Sequence, residues 1–301
     1  MGGVPMSNTN STAKTNPADI KIYAFADEAG GKISEQIAAM KRNGLAGVEL
    51  RGTEYGNVSD LSKENAKEII RKLNDEGLEV WSLGSPLGKI SIYNEFEPEI
   101  EKLKRTLDIA DTMSARNIRM FSFYLPKNEP YEKYRTKVLD RLAKMAEVAQ
   151  GSGVTLCHEN EKGIYGDNAE RCLDILKNVS GITGVFDPAN FIQCGVDTLK
   201  AWDLLKDKIK YLHIKDALAD GHVVPAGCGI GHVADIVKSY ISLGGTAMTL
   251  EPHLTVFKGL KDLEQEGERS QVGEVYTYPD SNSAFDAASK AIKDIIQSIA
   301  E

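Results

Sequence analysis

Four side chains that can bind a metal ion follow short apolar segments in the second half of the sequence. In chain order they are Glu159, Asp187, His213 and Glu251. Three carboxylates and one imidazole offer hard oxygen donors and a single nitrogen, which suits Mn²⁺, Mg²⁺ or Co²⁺ better than a structural zinc site. Without a cation, three clustered carboxylates would repel one another and raise their pKa values. If the fold brings these residues together, they form one divalent-metal site.

The apolar segments that carry these residues belong to a longer pattern. Each segment is short and apolar enough to be buried on both faces, which predicts strands of a parallel sheet. The predicted strands are Ile20–Phe25, Gly47–Leu50, Glu79–Leu83, Ile118–Phe123, Thr155–Glu159, Gly184–Asp187, Lys210–Ile214 and Ala247–Glu251. Amphipathic stretches with near-helical spacing separate them. The predicted helices are Ser34–Asn43, Lys63–Asn74, Glu99–Ser114, Tyr131–Gln150, Asn168–Asn178, Asp197–Leu205, His232–Ser242 and Ser283–Ala300.

Eight strand-and-helix units of roughly 25 to 40 residues predict an α/β fold, a (β/α)8 TIM barrel. A doubly wound open sheet is the alternative, but eight parallel strands fit closure better. No composition break divides the 301 residues, so we expect one domain at 19–301 after a disordered leader at 1–18. Residues that act on a substrate lie at the carboxyl ends of barrel strands. The irregular stretch Leu254–Asp280 is predicted to form a loop over that end.

Five motifs surround the four candidate ligands and the third strand. They are Gly84–Lys89 (GSPLGK), His158–Asp167 (HENEKGIYGD), Phe186–Phe191 (FDPANF), His213–Asp216 (HIKD) and Leu250–Leu254 (LEPHL). Together they resemble the sugar phosphate isomerase/epimerase family of the xylose isomerase-like TIM barrels, from about Ile20 to Leu254. The resemblance implies that Glu159, Asp187, His213 and Glu251 ligate one divalent ion. Mn²⁺ is expected, with Mg²⁺, Co²⁺ or Zn²⁺ as alternatives.

The resemblance also implies the mechanism of a sugar or sugar-phosphate isomerase or epimerase. The ion chelates two neighbouring oxygens of a ketose and stabilises a cis-enediolate, which is Lewis-acid catalysis. Glu159 and Glu251 are predicted to be the catalytic pair, one removing the proton next to the carbonyl and the other returning one. A lyase or dehydratase acting on a keto-sugar, keto-polyol or oxidised glycoside is the alternative, because loss of a β-leaving group gives elimination instead.

Six further residues are predicted to contact the substrate. They are Glu49, Arg51, Lys89, Asn190, Lys215 and His253. For Glu49 and Arg51, an ion pair with neighbouring strand ends is the alternative. Lys215 alternates with His213, so both face the barrel interior if the strand continues. Asn190 stands where ketose 3-epimerases of the family carry a substrate-binding histidine, and no arginine soon follows His213. These two departures separate the chain from standard ketose 3-epimerases. His158 is adjacent to Glu159, so alternation turns it away from the interior into a structural role.

A glycine-rich segment, Gly227–Gly231, precedes the predicted helix His232–Ser242. One interpretation is a cradle for an anion such as phosphate, because a helix N-terminus favours negative charge. The other is a tight loop that covers the site. A glycine-rich run alone is weak evidence for the cradle.

The composition limits the classes of partner. A formal net charge of −8 disfavours nucleic acid, and an endonuclease-like barrel would use more than the five histidines present. No apolar run is long enough to cross a membrane, and four scattered cysteines are typical of reduced thiols in a cytoplasmic protein. Together with the family resemblance, which implies a sugar substrate, these limits leave a small-molecule sugar or sugar derivative in the cytoplasm as the expected partner. The sequence leaves the oligomeric state undecided and allows a homodimer. It also allows a partner-dependent barrel without activity of its own.

Overall fold

Eight short strands close into a parallel barrel in the computed structural model, which describes residues 15–257, 272 and 275–301. The barrel strands are β1 (Lys21–Ala24), β2 (Gly47–Leu50), β3 (Glu79–Gly84), β4 (Asn117–Met120), β5 (Thr155–Glu159), β6 (Ile182–Phe186), β7 (Ile209–Ile214) and β8 (Ala247–Leu250). Each strand pairs with the next in sequence, and β8 pairs with β1 to close the ring. The eight predicted strands and the barrel are confirmed.

Helices follow the strands along the chain. They are α1 (Ile33–Arg42), α2 (Lys63–Asp75), α3 (Glu97–Met113), α4 (Arg135–Ala149), α5 (Ala169–Asn178), α6 (Pro188–Gln193), α7 (Thr198–Leu205), α8 (Val233–Ser242) and α9 (Ser281–Ala300). The sequence predicts all of them except α6, which is too short for a periodic pattern. Asp187 begins this helix, because its side chain accepts a hydrogen bond from the Asn190 N–H and Pro188 occupies the first turn.

An aromatic layer fills the barrel below its carboxyl end. Tyr23 stacks on Trp81 with ring centroids 5.2 Å apart, and Trp81 meets Tyr211 edge-on at 5.9 Å. Cys157 and Val185 are buried beside Tyr211. Close packing of this kind leaves little freedom of position, so the layer is a rigid floor for the side chains above it.

The remaining predictions on chain organisation concern the ends and one long loop. The turn Pro17–Asp19 lies against α9, so the stretch 15–18 of the predicted leader has a defined structure. Positions 1–14, and 258–271 with 273–274 of the predicted loop, lie outside the described residues. No helix within the described ranges is both long and apolar enough to cross a membrane.

Gly88 holds the loop after β3 against the end of β4. Its φ is 82°, and its N–H donates a hydrogen bond to Glu99 Oε1 at 2.6 Å. A Cβ atom at this position would lie 2.1 Å from the carbonyl oxygen of Phe121. The glycine is therefore required both by its left-handed backbone and by the close approach of another backbone segment.

We expect Gly88→Ala to lower the free energy of unfolding by about 2–4 kcal/mol, from a left-handed backbone and an overpacked contact. Gly151→Ala is a matched control, because Gly151 also has a φ of 82° but nothing lies within 4 Å of the added Cβ. Only the backbone cost of about 1 kcal/mol should appear there. Urea unfolding followed by circular dichroism measures both values, and equal losses would contradict the steric argument.

Candidate functional site

The four predicted ligands meet at the carboxyl end of the barrel. One ligand atom from each of Glu159, Asp187, His213 and Glu251 lies within 4.8 Å of the others, and all four residues are buried. Glu159 is the last residue of β5 and His213 the penultimate residue of β7, whereas Asp187 and Glu251 directly follow β6 and β8. We call these four residues the ligand cluster. The sequence therefore predicted which four residues the fold brings together.

His213 has a carboxylate on each side of its ring. Nδ1 lies 3.0 Å from Glu159 Oε1, and Nε2 lies 3.1 Å from Glu49 Oε2. Glu49 also accepts a hydrogen bond from the Tyr211 hydroxyl at 2.8 Å. A ring nitrogen that donates to a carboxylate behind it leaves the other nitrogen free to face an ion. Glu49 thus lies behind the ligand cluster, where it pairs with His213, and its predicted contact with substrate stays a prediction.

Two buried arginines hold the two glutamates of the ligand cluster. Arg119 donates to Glu159 Oε2 at 2.8 Å, and Arg51 donates to Glu251 Oε1 at 3.3 Å. Arg51 also donates twice to Asp27, at 2.9 and 3.0 Å. Its guanidinium group is committed to protein carboxylates, so the structure places Arg51 as a support for Glu251 where the sequence suggested a substrate contact.

Lys215 and Asn190 connect Asp187 to its neighbours. The Lys215 ammonium lies 2.8 Å from Asp187 Oδ2 and 3.0 Å from Glu251 Oε2, so this side chain does face the interior as predicted. Asn190 donates its backbone N–H to Asp187 Oδ1 at 2.9 Å and its amide to Glu159 Oε1 at 3.2 Å. Both residues therefore contact members of the ligand cluster directly.

The clustered charges shift pKa values in opposite directions. Burial acts to raise the pKa of Glu159, but the neighbouring His213 and other cations bring it down to about 2. Burial acts to lower the pKa of His213, but Glu159 and Glu49 hold it well above its ordinary value. Burial raises the pKa of Asp187 to about 7 although Lys215 opposes the shift. Asp187 is thus the ligand whose charge the protein compensates least.

The residues present fit a divalent cation. Asp187 Oδ2 is buried beside the Lys215 ammonium but makes no aligned hydrogen bond with the described part of the chain, so this carboxylate oxygen is incompletely satisfied. The donors around it are carboxylates and one imidazole, a set that hard and borderline divalent ions prefer. An ion there would also favour the ionised form of Asp187 and a neutral His213, which are the forms that ligate metals.

His253 and Lys89, the two remaining predicted substrate contacts, have carboxylate neighbours. The backbone N–H of His253 donates to Glu28 Oε2 at 2.6 Å, and its ring Nδ1 lies 3.5 Å from Glu251 Oε1. The Lys89 ammonium donates to Glu161 Oε2 at 3.0 Å. His253 therefore borders the ligand cluster, whereas Lys89 pairs with an acid outside it.

Sequence reasoning missed the residues that support the ligands. They are Asp27, Glu28, Arg119, Asn160 and Tyr211. Arg119 could have been found from the sequence, because a charged residue between Ile118 and Met120 interrupts an apolar strand. Asn160 could not have been found in this way, since its side chain forms two hydrogen bonds of 2.9 Å with the backbone of Asp187.

The glycine-rich segment is a tight loop around a buried aspartate. Asp216 accepts hydrogen bonds from the N–H groups of Gly227, Gly229 and Gly231 at 2.9–3.0 Å. A Cβ atom on Gly229 or Gly231 would lie 2.3 or 2.5 Å from Asp216 Oδ1. Because these N–H groups point at the protein's own carboxylate, the tight-loop interpretation holds and the phosphate cradle does not. Asp216, the last residue of the His213–Asp216 motif, therefore holds this loop in place.

His158 lies away from the barrel interior as expected, and the cysteines are unpaired. His158 Nε2 lies 2.9 Å from Ser122 Oγ, and burial lowers the pKa of its ring to about 4. All four cysteines are free thiols. None of these side chains belongs to the ligand cluster.

Comparison with known proteins adds a family model and several relatives. Residues 37–251 match the model described as Xylose isomerase-like TIM barrel. The 3-dehydroshikimate dehydratase of Bacillus anthracis is 23% identical over 176 residues, which span 58% of this chain and 62%, less than two thirds, of that protein.

Many solved structures share the fold, and two of them illustrate the likeness. An L-ribulose 3-epimerase has a TM-score of 0.70 at 19% identity, covering 93% of this chain and 95% of its own. The IOLI protein with a bound zinc atom has a TM-score of 0.69 at 16% identity, covering 93% and 98%. At these identities the structural likeness shows the fold alone.

We expect Glu49→Gln to weaken the binding of a divalent ion about 10- to 100-fold, because His213 loses the charged acceptor that orients it. Tyr211→Phe is the graded comparison, since it removes only the hydroxyl that contacts Glu49, and it should weaken binding less. Titration calorimetry of chelator-stripped protein with Mn²⁺ measures both effects. Wild-type affinity in Glu49→Gln would show that Glu49 does not orient the ligand.

Proposed function

This chain belongs to the xylose isomerase-like TIM barrel family, and from that premise we propose that it is a divalent-metal-dependent isomerase or epimerase of a sugar or sugar derivative. The observation that carries the proposal is the buried ligand cluster, with ligand atoms within 4.8 Å of one another. A bound ion, for which we propose Mn²⁺, would act as a Lewis acid on a substrate carbonyl and so acidify the neighbouring C–H bond.

Glu159 and Glu251 are the proposed acid/base pair. Burial acts to raise the pKa of both, but His213 beside Glu159 and Lys215 beside Glu251 hold both values well below the usual range. Both carboxylates are therefore charged at neutral pH, the form in which a carboxylate accepts a proton from carbon. They come from strands separated by β6 and β7, so they approach a sugar carbon from different directions, as an epimerase requires.

The proposed substrate contacts lie around Glu251. Lys215 and His253 both border that carboxylate, at 3.0 Å and 3.5 Å. An ammonium group and an imidazole can donate hydrogen bonds to the hydroxyl or carbonyl oxygens of a carbohydrate. Because the surrounding side chains are buried, a bound substrate would react with little competing water.

A dehydratase is the second candidate, and the similarity to 3-dehydroshikimate dehydratase favours it. Glu159 or Glu251 would take the same proton next to the carbonyl. The C–O bond at the β-carbon would then break, and the hydroxyl would leave as water with a proton from Lys215. The two candidates share their first step and differ in whether carbon is reprotonated or loses water.

We expect chelator-stripped wild-type protein to rebind about one Mn²⁺ per chain, because one cluster offers one set of ligands. Asp187→Ala and Glu251→Ala should lose the ion while circular dichroism still shows a folded barrel, since both residues lie at the loop end of the barrel and outside its core layers. Both variants should melt at a lower temperature, because Lys215 loses a charged partner. Elemental analysis after gel filtration measures the stoichiometry. Retention of the ion in either variant would remove that residue from the site.

We expect the Mn²⁺-loaded enzyme to exchange solvent deuterium into a substrate found among ketoses and oxidised sugars, with 3-dehydroshikimate included. Glu159→Gln and Glu251→Gln should each abolish the exchange, because each removes a proton carrier. Mass spectrometry separates the candidates: deuterium gain without loss of water indicates an isomerase or epimerase, and loss of water a dehydratase. Full exchange by a metal-loaded variant would exclude that glutamate as an acid or base.

A further inference from the structure

The Lys215 side chain places a positive charge inside the ligand cluster. Its ammonium lies 2.8 Å from Asp187 Oδ2 and 3.0 Å from Glu251 Oε2, and the residue is only 6% exposed. Lys215 comes directly after β7, two positions beyond His213, so both side chains point into the barrel. The ammonium therefore bridges two of the three carboxylates that are proposed to ligate the metal.

A divalent ion held by Asp187 and Glu251 would share their oxygen atoms with this ammonium. Metal–carboxylate bonds are about 2.0–2.6 Å long, so the ion and the ammonium would lie only a few ångströms apart. Two cations at that separation in a buried site repel each other strongly. Asp187 Oδ2 lies close to the ammonium without the alignment of a hydrogen bond, so the attraction there is mainly electrostatic and an ion can replace it.

We propose that Lys215 is an internal counter-ion of the ligand cluster, which stabilises the protein when no metal is bound and which a divalent ion must displace in order to bind. The inference rests on the metal site proposed above and adds a residue that sets its affinity. Removing one partner from a buried group of charges leaves the others uncompensated, which is strongly destabilising. Without Lys215, the carboxylates should therefore depend on the metal for their stability.

A purely structural role for Lys215 predicts a different pattern. Loss of its packing would reduce the stability of the stripped protein and would also disturb the ligands, so metal binding would weaken. The counter-ion role predicts that stability falls while metal affinity rises. Lower stability of the stripped protein together with higher metal affinity would therefore indicate that Lys215 and the metal compete for the same carboxylates.

The test compares Lys215→Met and Lys215→Gln with a matched control, Lys89→Met. Lys89 is nearly as buried, with 9% of its side chain exposed against 6% for Lys215, but it pairs with Glu161 outside the ligand cluster. Each chelator-stripped protein is titrated with Mn²⁺ in a calorimeter and melted with and without Mn²⁺. We expect both Lys215 variants to bind Mn²⁺ at least about tenfold more tightly and to melt several degrees lower in chelator, whereas Lys89→Met keeps the wild-type affinity.

The outcomes separate this inference from the proposed function. Mn²⁺ binding by wild type with equal or weaker binding by both Lys215 variants overturns the counter-ion role and leaves the metal site standing. Absence of Mn²⁺ binding in wild type and in every variant overturns both proposals. Lys215 variants that fold only with Mn²⁺ show the expected dependence, and variants that stay unfolded even with Mn²⁺ show a structural role and overturn the proposal.

Discussion

The burial of three carboxylates around one imidazole is the constraint on which the rest of the site depends. Ionised groups removed from water are costly unless opposite charges and hydrogen bonds compensate them. The barrel supplies that compensation from separate elements: Arg51 after β2, Arg119 from β4 and Lys215 after β7. The residues around the ligand cluster are therefore explained by charge balance first, and their chemistry follows from the geometry that this balance imposes.

The same constraint connects the site to the hydrophobic core. His213 is fixed by Glu49, which is fixed in turn by Tyr211, and Tyr211 packs edge-on against Trp81 in the aromatic layer below. A ligand whose second nitrogen is bound in this way has one ring orientation and one tautomer. Two hydrogen bonds thus connect the His213 ring at the mouth of the barrel to the closely packed aromatic layer, and they fix the orientation of the ring.

The sequence could predict the ligand cluster because barrel topology converts a position at a strand end into a position in space. It could not predict the supporting contacts. For Glu49, the sequence left a substrate contact and an ion pair both open, because a position at a strand end does not fix how deep a side chain lies. In the structure Glu49 Oε2 lies 3.1 Å from His213 Nε2. Arg119 reaches Glu159 from the neighbouring strand, and which buried cation meets which carboxylate depends on side-chain reach, which residue spacing does not encode. Helix α6 was not predicted, because six residues are too few to show the hydrophobic periodicity of a helix.

The contacts of Asn190 indicate which neighbouring side chains are left to recognise a substrate. The family resemblance in the sequence implies a substrate contact for Asn190, yet here its amide donates to Glu159 Oε1 and to the Asn160 carbonyl. The N–H donors of this amide are used within the protein, so its capacity toward a sugar hydroxyl is that of the Oδ1 acceptor. The groups that border Glu251 with donors to offer are Lys215 and His253, and both favour oxygen-rich or anionic substituents. In the proposed reaction the ligand cluster would serve the removal of a proton beside a carbonyl, and these neighbours would limit which molecule presents it.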